Sequence, residues 1–129
     1  MAIPSGPGTE VLRRNSIPAQ STSITSIDWA QAVQTAAGNS SGTTAVPANV
    51  IITIFNIILC NRNGSARTVV LQIGGTGTDV RPLEDQTIPG KGTFVFSDRF
   101  VLREGDELQF DASGSDNDIY ISYVYQDWT

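Results

Sequence analysis

The sequence predicts an all-β fold, an antiparallel β-sandwich or jelly roll with an extended N-terminal arm, and three observations lead there. From Ser23 onward, apolar and polar residues alternate with the period of two that a half-buried strand requires. Turn-forming groups, among them Asn63-Gly64, Gly74-Gly75-Thr76-Gly77, Pro89-Gly90-Lys91-Gly92 and Glu104-Gly105-Asp106, punctuate that pattern at the spacing of short strands. The leading segment carries Pro4, Pro7 and Pro18 among Gly6, Gly8, Ser16, Ser21 and Thr22, a mixture that sustains neither a helix nor a central strand.

The expected organisation is therefore an arm over residues 1–22 and a single β-sandwich domain over residues 23–129. Along the arm, Ile3, Val11, Leu12 and Ile17 are spaced so that each can fill a pocket on a neighbour. Arg13 and Arg14 give residues 1–27 a net charge of +1, against −6 for the remainder. Such an arm gains order only through contacts made elsewhere, because fixing a backbone costs roughly 1–2 kcal/mol per residue. These six residues are the expected partner-binding set.

In the body, Ile24, Ile27 and Trp29 suggest a first strand. Ala30 to Ala37 could instead form a short helix, before the turn at Gly38 to Gly42. Val50 to Cys60 is the strongest strand and is apolar on both faces. A regular alternation places Val50, Ile52, Ile54 and Ile58 on one face, and Ile51, Phe55, Ile57 and Leu59 on the other. A strand with two apolar faces has to be covered twice, and a domain of this size has few elements with which to do so. Self-association, as a trimer, is the expected solution, with Ile51, Phe55, Ile57 and Leu59 as interface candidates. Asn63-Gly64 predicts a hairpin joining Val50–Cys60 to a strand over Arg67–Ile73. Thr93 to Phe96, Arg99 to Leu102, Glu107 to Phe110 and Ile119 to Gln126 complete the set. In the last of these, Tyr123 and Tyr125 share a face with Ile119 and Ile121. Tyr120 and Trp128 fall on the opposite face and join the interface candidates.

Composition narrows the functional classes. The chain contains no histidine, which removes Ser-His-Asp and Cys-His nucleophiles and every histidine metal site. Paired carboxylates at Glu84-Asp85 and at Glu104, Asp106 and Glu107 sit in polar turn sequences suited to solvated charge, so no enzyme activity is expected. Gly74 to Gly77 lacks the lysine and the following helix of a phosphate-binding loop. Asp111 to Asp118 is rich in oxygen donors, but it has no glutamate placed to close a calcium loop and reads as a turn. No cofactor or metal is expected. The net charge of −5 disfavours nucleic acid and anionic membranes as partners. Cys60, the single cysteine, reads as a small apolar residue. The first residues have neither a basic nor an apolar signal region, so cytosolic synthesis is expected.

Several stretches taken together resemble small structural proteins of tailed phages. They are the Pro/Gly-rich start through Gly8-Thr9-Glu10-Val11-Leu12, Val46-Pro47-Ala48-Asn49-Val50-Ile51-Ile52-Thr53-Ile54, Cys60-Asn61-Arg62-Asn63-Gly64, Ile88-Pro89-Gly90-Lys91-Gly92 and Leu102-Arg103-Glu104-Gly105-Asp106-Glu107-Leu108. The resemblance spans most of the chain and rests on strand and turn chemistry. It implies a jelly-roll-like body that trimerises and an arm that clips onto neighbouring subunits. The implied role is a cement or decoration protein on the outer surface of a capsid, with the major capsid protein or other virion subunits as partner. The alternative is a tail or fibre component that binds a carbohydrate or receptor.

Overall fold

The structure, a computed structural model, describes residues 9–20, 25–30, 43–75, 79–114 and 116–128. These residues contain no helix and form two antiparallel sheets. The strands are β1 (Thr9–Gln20), β2 (Thr25–Ser26), β3 (Val50–Asn61), β4 (Arg67–Gly74), β5 (Val80–Ile88), β6 (Thr93–Phe96), β7 (Phe100–Leu102), β8 (Glu107–Ala112) and β9 (Asn117–Asp127). One sheet runs β1-β9-β3-β6, with β7 also paired to β3, and the other runs β2-β8-β4-β5. The antiparallel sandwich expected from the alternation is what forms.

The inner faces of the two sheets close over one core. Ile52, Ile54, Ile57 and Leu59 of β3 meet Val69, Leu71, Leu108 and Phe110 of the facing sheet, all at most 1% exposed. Trp29 packs edge-on against Tyr123, with ring centroids 5.1 Å apart. The Trp29 indole N–H donates to the Thr44 carbonyl, so the largest core side chain is buried without an orphaned donor. Burial pushes the Tyr123 phenol above its ordinary pKa, with Arg13 opposing the rise.

Four expectations are corrected. First, most of the supposed arm is a strand: β1 pairs antiparallel with β9 from Thr9↔Asp127 to Ile17↔Ile119. Ile17 is fully buried in the core and cannot plug a neighbour, and the buried Asn15 donates from Nδ2 to the Asp28 carbonyl. The prolines mislead because β1 is an edge strand with its bulge at Ile17/Gln20, and an edge tolerates Pro18. Ile3, like the rest of residues 1–8, lies outside the described residues, as do residues 31–42, where a helix was the alternative.

Second, β3 does not alternate regularly. Ile54 pairs with Tyr123 and Asn56 with Ser122, so Phe55 is one residue too many. This β-bulge reverses the parity of everything that follows. Val50, Ile52 and Ile54 are buried before it; Ile57, Leu59 and Asn61 are buried after it. Ile57 and Leu59 therefore belong to the core and not to an interface, while Ile58 and Cys60 turn outward. The neighbouring edge is broken at the same level, where residues 97–99 separate β6 from β7, and the Arg99 guanidinium lies 5.1 Å from the Phe55 ring centroid.

Third, β3 and β4 do not form a hairpin, because they lie in different sheets. Neither Asn63 nor Gly64 has the positive φ that a two-residue hairpin turn demands. The chain crosses between sheets at a corner fixed by Asn61. Its Nδ2 donates to the carbonyls of Ser65, Ile88 and Pro89 at 2.9, 3.1 and 3.2 Å, and its Oδ1 accepts the Asn63 N–H at 2.9 Å. Gly90 packs against this corner so closely that a Cβ would collide with the Gly64 carbonyl.

Fourth, β5 was not expected. It carries Pro82 and charged residues, and its pairing with β4 shifts register twice, near an Asp85 whose φ is 48°. All three are devices that blunt a sheet edge.

Candidate docking face

The outer face of the five-stranded sheet is the unusual surface of this molecule. Register defines it as transverse rows. Leu12, Val124, Thr53 and Val101 lie side by side across β1, β9, β3 and β7. Arg14, Ser122 and Asn56 form the next row. Ser16, Tyr120, Ile58 and Val95 form the third, across β1, β9, β3 and β6. Glu10, Gln126 and Ile51 bound one end, and Cys60 with Asp118 the other.

Two apolar rows thus flank one polar row. The exposed fractions are 70% for Leu12, 61% for Val101, 51% for Val95 and 37% for Tyr120, with Ile51, Ile58, Cys60 and Val124 half-buried among them. An isolated exposed apolar side chain is ordinary, whereas a group of them on one sheet face makes that face a candidate docking surface. Two shallow hollows open onto it. One, of about 280 Å³, is walled by Ser16, Pro18, Ile58, Cys60, Asp118 and Tyr120; the other, of about 340 Å³, by Leu12, Arg14, Tyr120 and Ser122.

The expected site residues separate accordingly. Leu12, Arg14, Ile51 and Tyr120 lie on this face, and Phe55 sits at its bulge beneath Arg99. Val11 is exposed at the sheet edge, opposite Tyr125. Arg13 lies over the Tyr125 ring at 4.1 Å, a cation–π contact that draws it to its own sheet. Trp128 follows β9 and is half-buried, its backbone N–H on the Asn49 carbonyl, away from the rows. Sequence reasoning missed Val95, Val101, Val124 and Ile58. The first three were legible as the outward positions of their alternating strands, but Ile58 was hidden by the bulge.

The other sheet presents a different exterior. Arg81 Nε donates to Gln72 Oε1, Gln72 Nε2 to Gln109 Oε1, and Gln109 Nε2 to Ser26 Oγ, a polar relay across all four strands. Beside it lies a groove of about 160 Å³ lined by Val70, Gln72, Arg81, Glu84, Asp85 and Asp111. In the acidic loop, Asp116 accepts both Nε and an Nη of Arg67, at 3.0 and 3.2 Å, and Asp111 Oδ1 accepts the Ala112 N–H. The Arg67 guanidinium holds the Asp116 carboxyl below the ordinary carboxylate pKa. Among the described residues, no three histidine, cysteine or acidic side chains group to hold a metal.

No protein family, curated protein or solved structure matches this chain. Its functional reading therefore rests on the face.

Proposed function

We propose that this chain is a non-enzymatic structural protein of a phage virion, a cement or decoration subunit of the capsid surface that assembles with other virion subunits through the outer face of its five-stranded sheet. The observation that carries the reading is that face, with Leu12, Val95, Val101 and Tyr120 exposed on two apolar rows. Burying apolar surface contributes about 25 cal/mol per Å², so such a face is stabilised by a partner and left unsatisfied without one. With β6 and β7 taken as one interrupted strand, the fold is two four-stranded sheets whose sequential strands mostly alternate between them. This alternation supports a jelly-roll reading of the sandwich, an architecture shared by viral capsid and lectin domains. Architecture alone does not choose between them, and the exposed apolar face supports the capsid reading. The net charge of −5 fits a protein-binding role better than a nucleic-acid one.

A second reading, a tail or fibre component that binds a carbohydrate receptor, is favoured by the polar groove around Gln72, Gln109 and Arg81 on the opposite sheet. The deciding experiment is to purify virions from the phage that encodes this chain, locate the protein by mass spectrometry and imaging, and delete its gene. The cement reading expects many copies on the capsid and heat-labile particles after deletion, rescued by the added protein but not by Val101→Glu. Absence from virions would overturn both readings, and confinement to a fibre tip with intact capsids would favour the second.

A further inference from the structure

We infer that the hollow at Arg14 and Ser122, between the two apolar rows, is a carboxylate-recognition site, and that the surface docked on this face seats an aspartate or glutamate side chain in it. The inference rests on the reading of the face as a docking surface, and it states what the partner must carry. Three observations lead to it.

The first is the lining. The hollow measures about 340 Å³, with Leu12 and Tyr120 as its apolar walls and, between them, Arg14 and Ser122, which are direct partners across β1 and β9. Arg13 also lines it, with its guanidinium held over the Tyr125 ring. Arg14 is exposed and makes no ion pair among the described residues. Among the same residues, neither the Ser122 nor the Tyr120 hydroxyl has a hydrogen bond. In a chain of net charge −5, the polar side chains of this hollow are all able to donate and none is anionic.

The second is where the face keeps its own carboxylates. Glu10 and Asp118 lie at its opposite ends, each four residues along the strand from Arg14 or Ser122 and so about 13–14 Å from the polar row. Both are engaged there: Glu10 accepts Gln126 Nε2 at 3.2 Å, and Asp118 lies 3.1 Å from Arg62 Nε. At the far edge of the polar row, the break between β6 and β7 carries Asp98 and Arg99, of opposite sign. Arg14 is thus the uncompensated charge in the middle of the face. A purely apolar cover would strand its guanidinium away from water, a cost that an anionic acceptor offsets.

The third is the fit to a carboxylate on an aliphatic stem. The guanidinium fork matches a carboxylate with two parallel hydrogen bonds, and the Leu12 and Tyr120 walls suit the methylenes behind it. A phosphate dianion asks for more positive charge than one free fork provides, and the net charge of −5 opposes a dianion twice as strongly as a monoanion. The apolar rows run about 7 Å to either side of the polar row, so a partner that covers them also excludes water from the ion pair and strengthens it.

Two measurements on the full chain test it. In the first, nuclear magnetic resonance follows the isolated chain as N-acetyl-glutamate α-methylamide, its glutamine counterpart or inorganic phosphate is added. The glutamate compound should give saturable shifts of the Arg14 Nε–H and the Ser122 amide, with a Kd of roughly 10–100 mM, and Arg14→Glu should abolish them; the glutamine compound should give none. No saturable shift at these groups, an equal response to the glutamine compound, or tighter binding of phosphate overturns the inference. In the second, particles lacking the chain are redecorated with wild type, Arg14→Glu, Val101→Glu and Arg103→Glu, the last an exposed residue off the rows that carries the same change in charge. Arg14→Glu should bind about tenfold or more weakly at unchanged Tm, and Arg103→Glu at wild-type strength. If Val101→Glu is excluded while Arg14→Glu decorates normally, docking on the face stands and the carboxylate site fails. If neither changes occupancy, both fail. If the chain is absent from virions, the virion reading fails and the titration alone judges the hollow.

Discussion

Ile17→Ala tests whether β1 is part of the body or an arm upon it. Ile17 is fully buried, paired with Ile119 and packed in the common core. Truncating a buried isoleucine removes its transfer free energy and leaves a cavity, a loss of about 2–5 kcal/mol. A chain of 129 residues has an unfolding entropy of about 0.27 kcal/mol/K at about 2.1 cal/mol/K per residue, so each kcal/mol moves Tm by about 4 °C. The expected fall is roughly 7–18 °C. Leu12→Ala, in the same strand but 70% exposed, is the internal control and should change stability by no more than about 0.5 kcal/mol. Differential scanning calorimetry at low protein concentration, where self-association does not contribute, reads both. A fall of less than about 2 °C for Ile17→Ala would refute the placement of β1 in the core and restore the arm.

The bulge at Phe55 makes Ile57 and Ile58 opposites: Ile57→Lys buries an unpaired charge and should abolish cooperative unfolding, while Ile58→Lys should fold with near-native circular dichroism. Asn61→Ala strips the corner of three carbonyl contacts and one amide contact and should cost about 2–4 kcal/mol in urea unfolding, with m unchanged. Because Arg67 lowers the Asp116 pKa in the folded state, the pair contributes stability above the unfolded value of about 3.9 and loses it as pH falls through the folded value. Wild type should therefore exceed Asp116→Asn at neutral pH and converge with it in acid; a gap that persists at pH 2 would contradict the pairing.

The parts of the fold that were legible in the sequence are those whose side chains obey the sheet's own period. In β9, Ile119, Ile121 and Tyr123 are buried and Tyr120 is exposed, as alternation requires. Both strands that sequence reasoning missed, β1 and β5, are sheet edges. An edge is selected for features that argue against a strand, and here these are Pro18 with Arg13-Arg14 in β1 and Pro82 with Glu84-Asp85 in β5. The error in β3 has another source. Asn56 interrupts an otherwise apolar run, but a single polar residue does not reveal that the backbone gains one residue against its neighbour, since that depends on pairing with β9 and on the break between β6 and β7. Half of the face was therefore found, at Leu12, Arg14, Ile51 and Tyr120. The other half needed the register, because Ile58, Val95, Val101 and Val124 become neighbours only when four strands from distant parts of the chain lie side by side.

Hydroxyl-radical footprinting of the chain in purified virions, compared with the isolated chain at sub-micromolar concentration, tests most directly whether the outer face is an interface. Leu12, Val95, Val101 and Tyr120 should react freely in the isolated chain and be protected in the particle, while Val80 on the opposite sheet reacts in both. Equal reactivity of the four face residues in the two states, with protection elsewhere, would contradict the account.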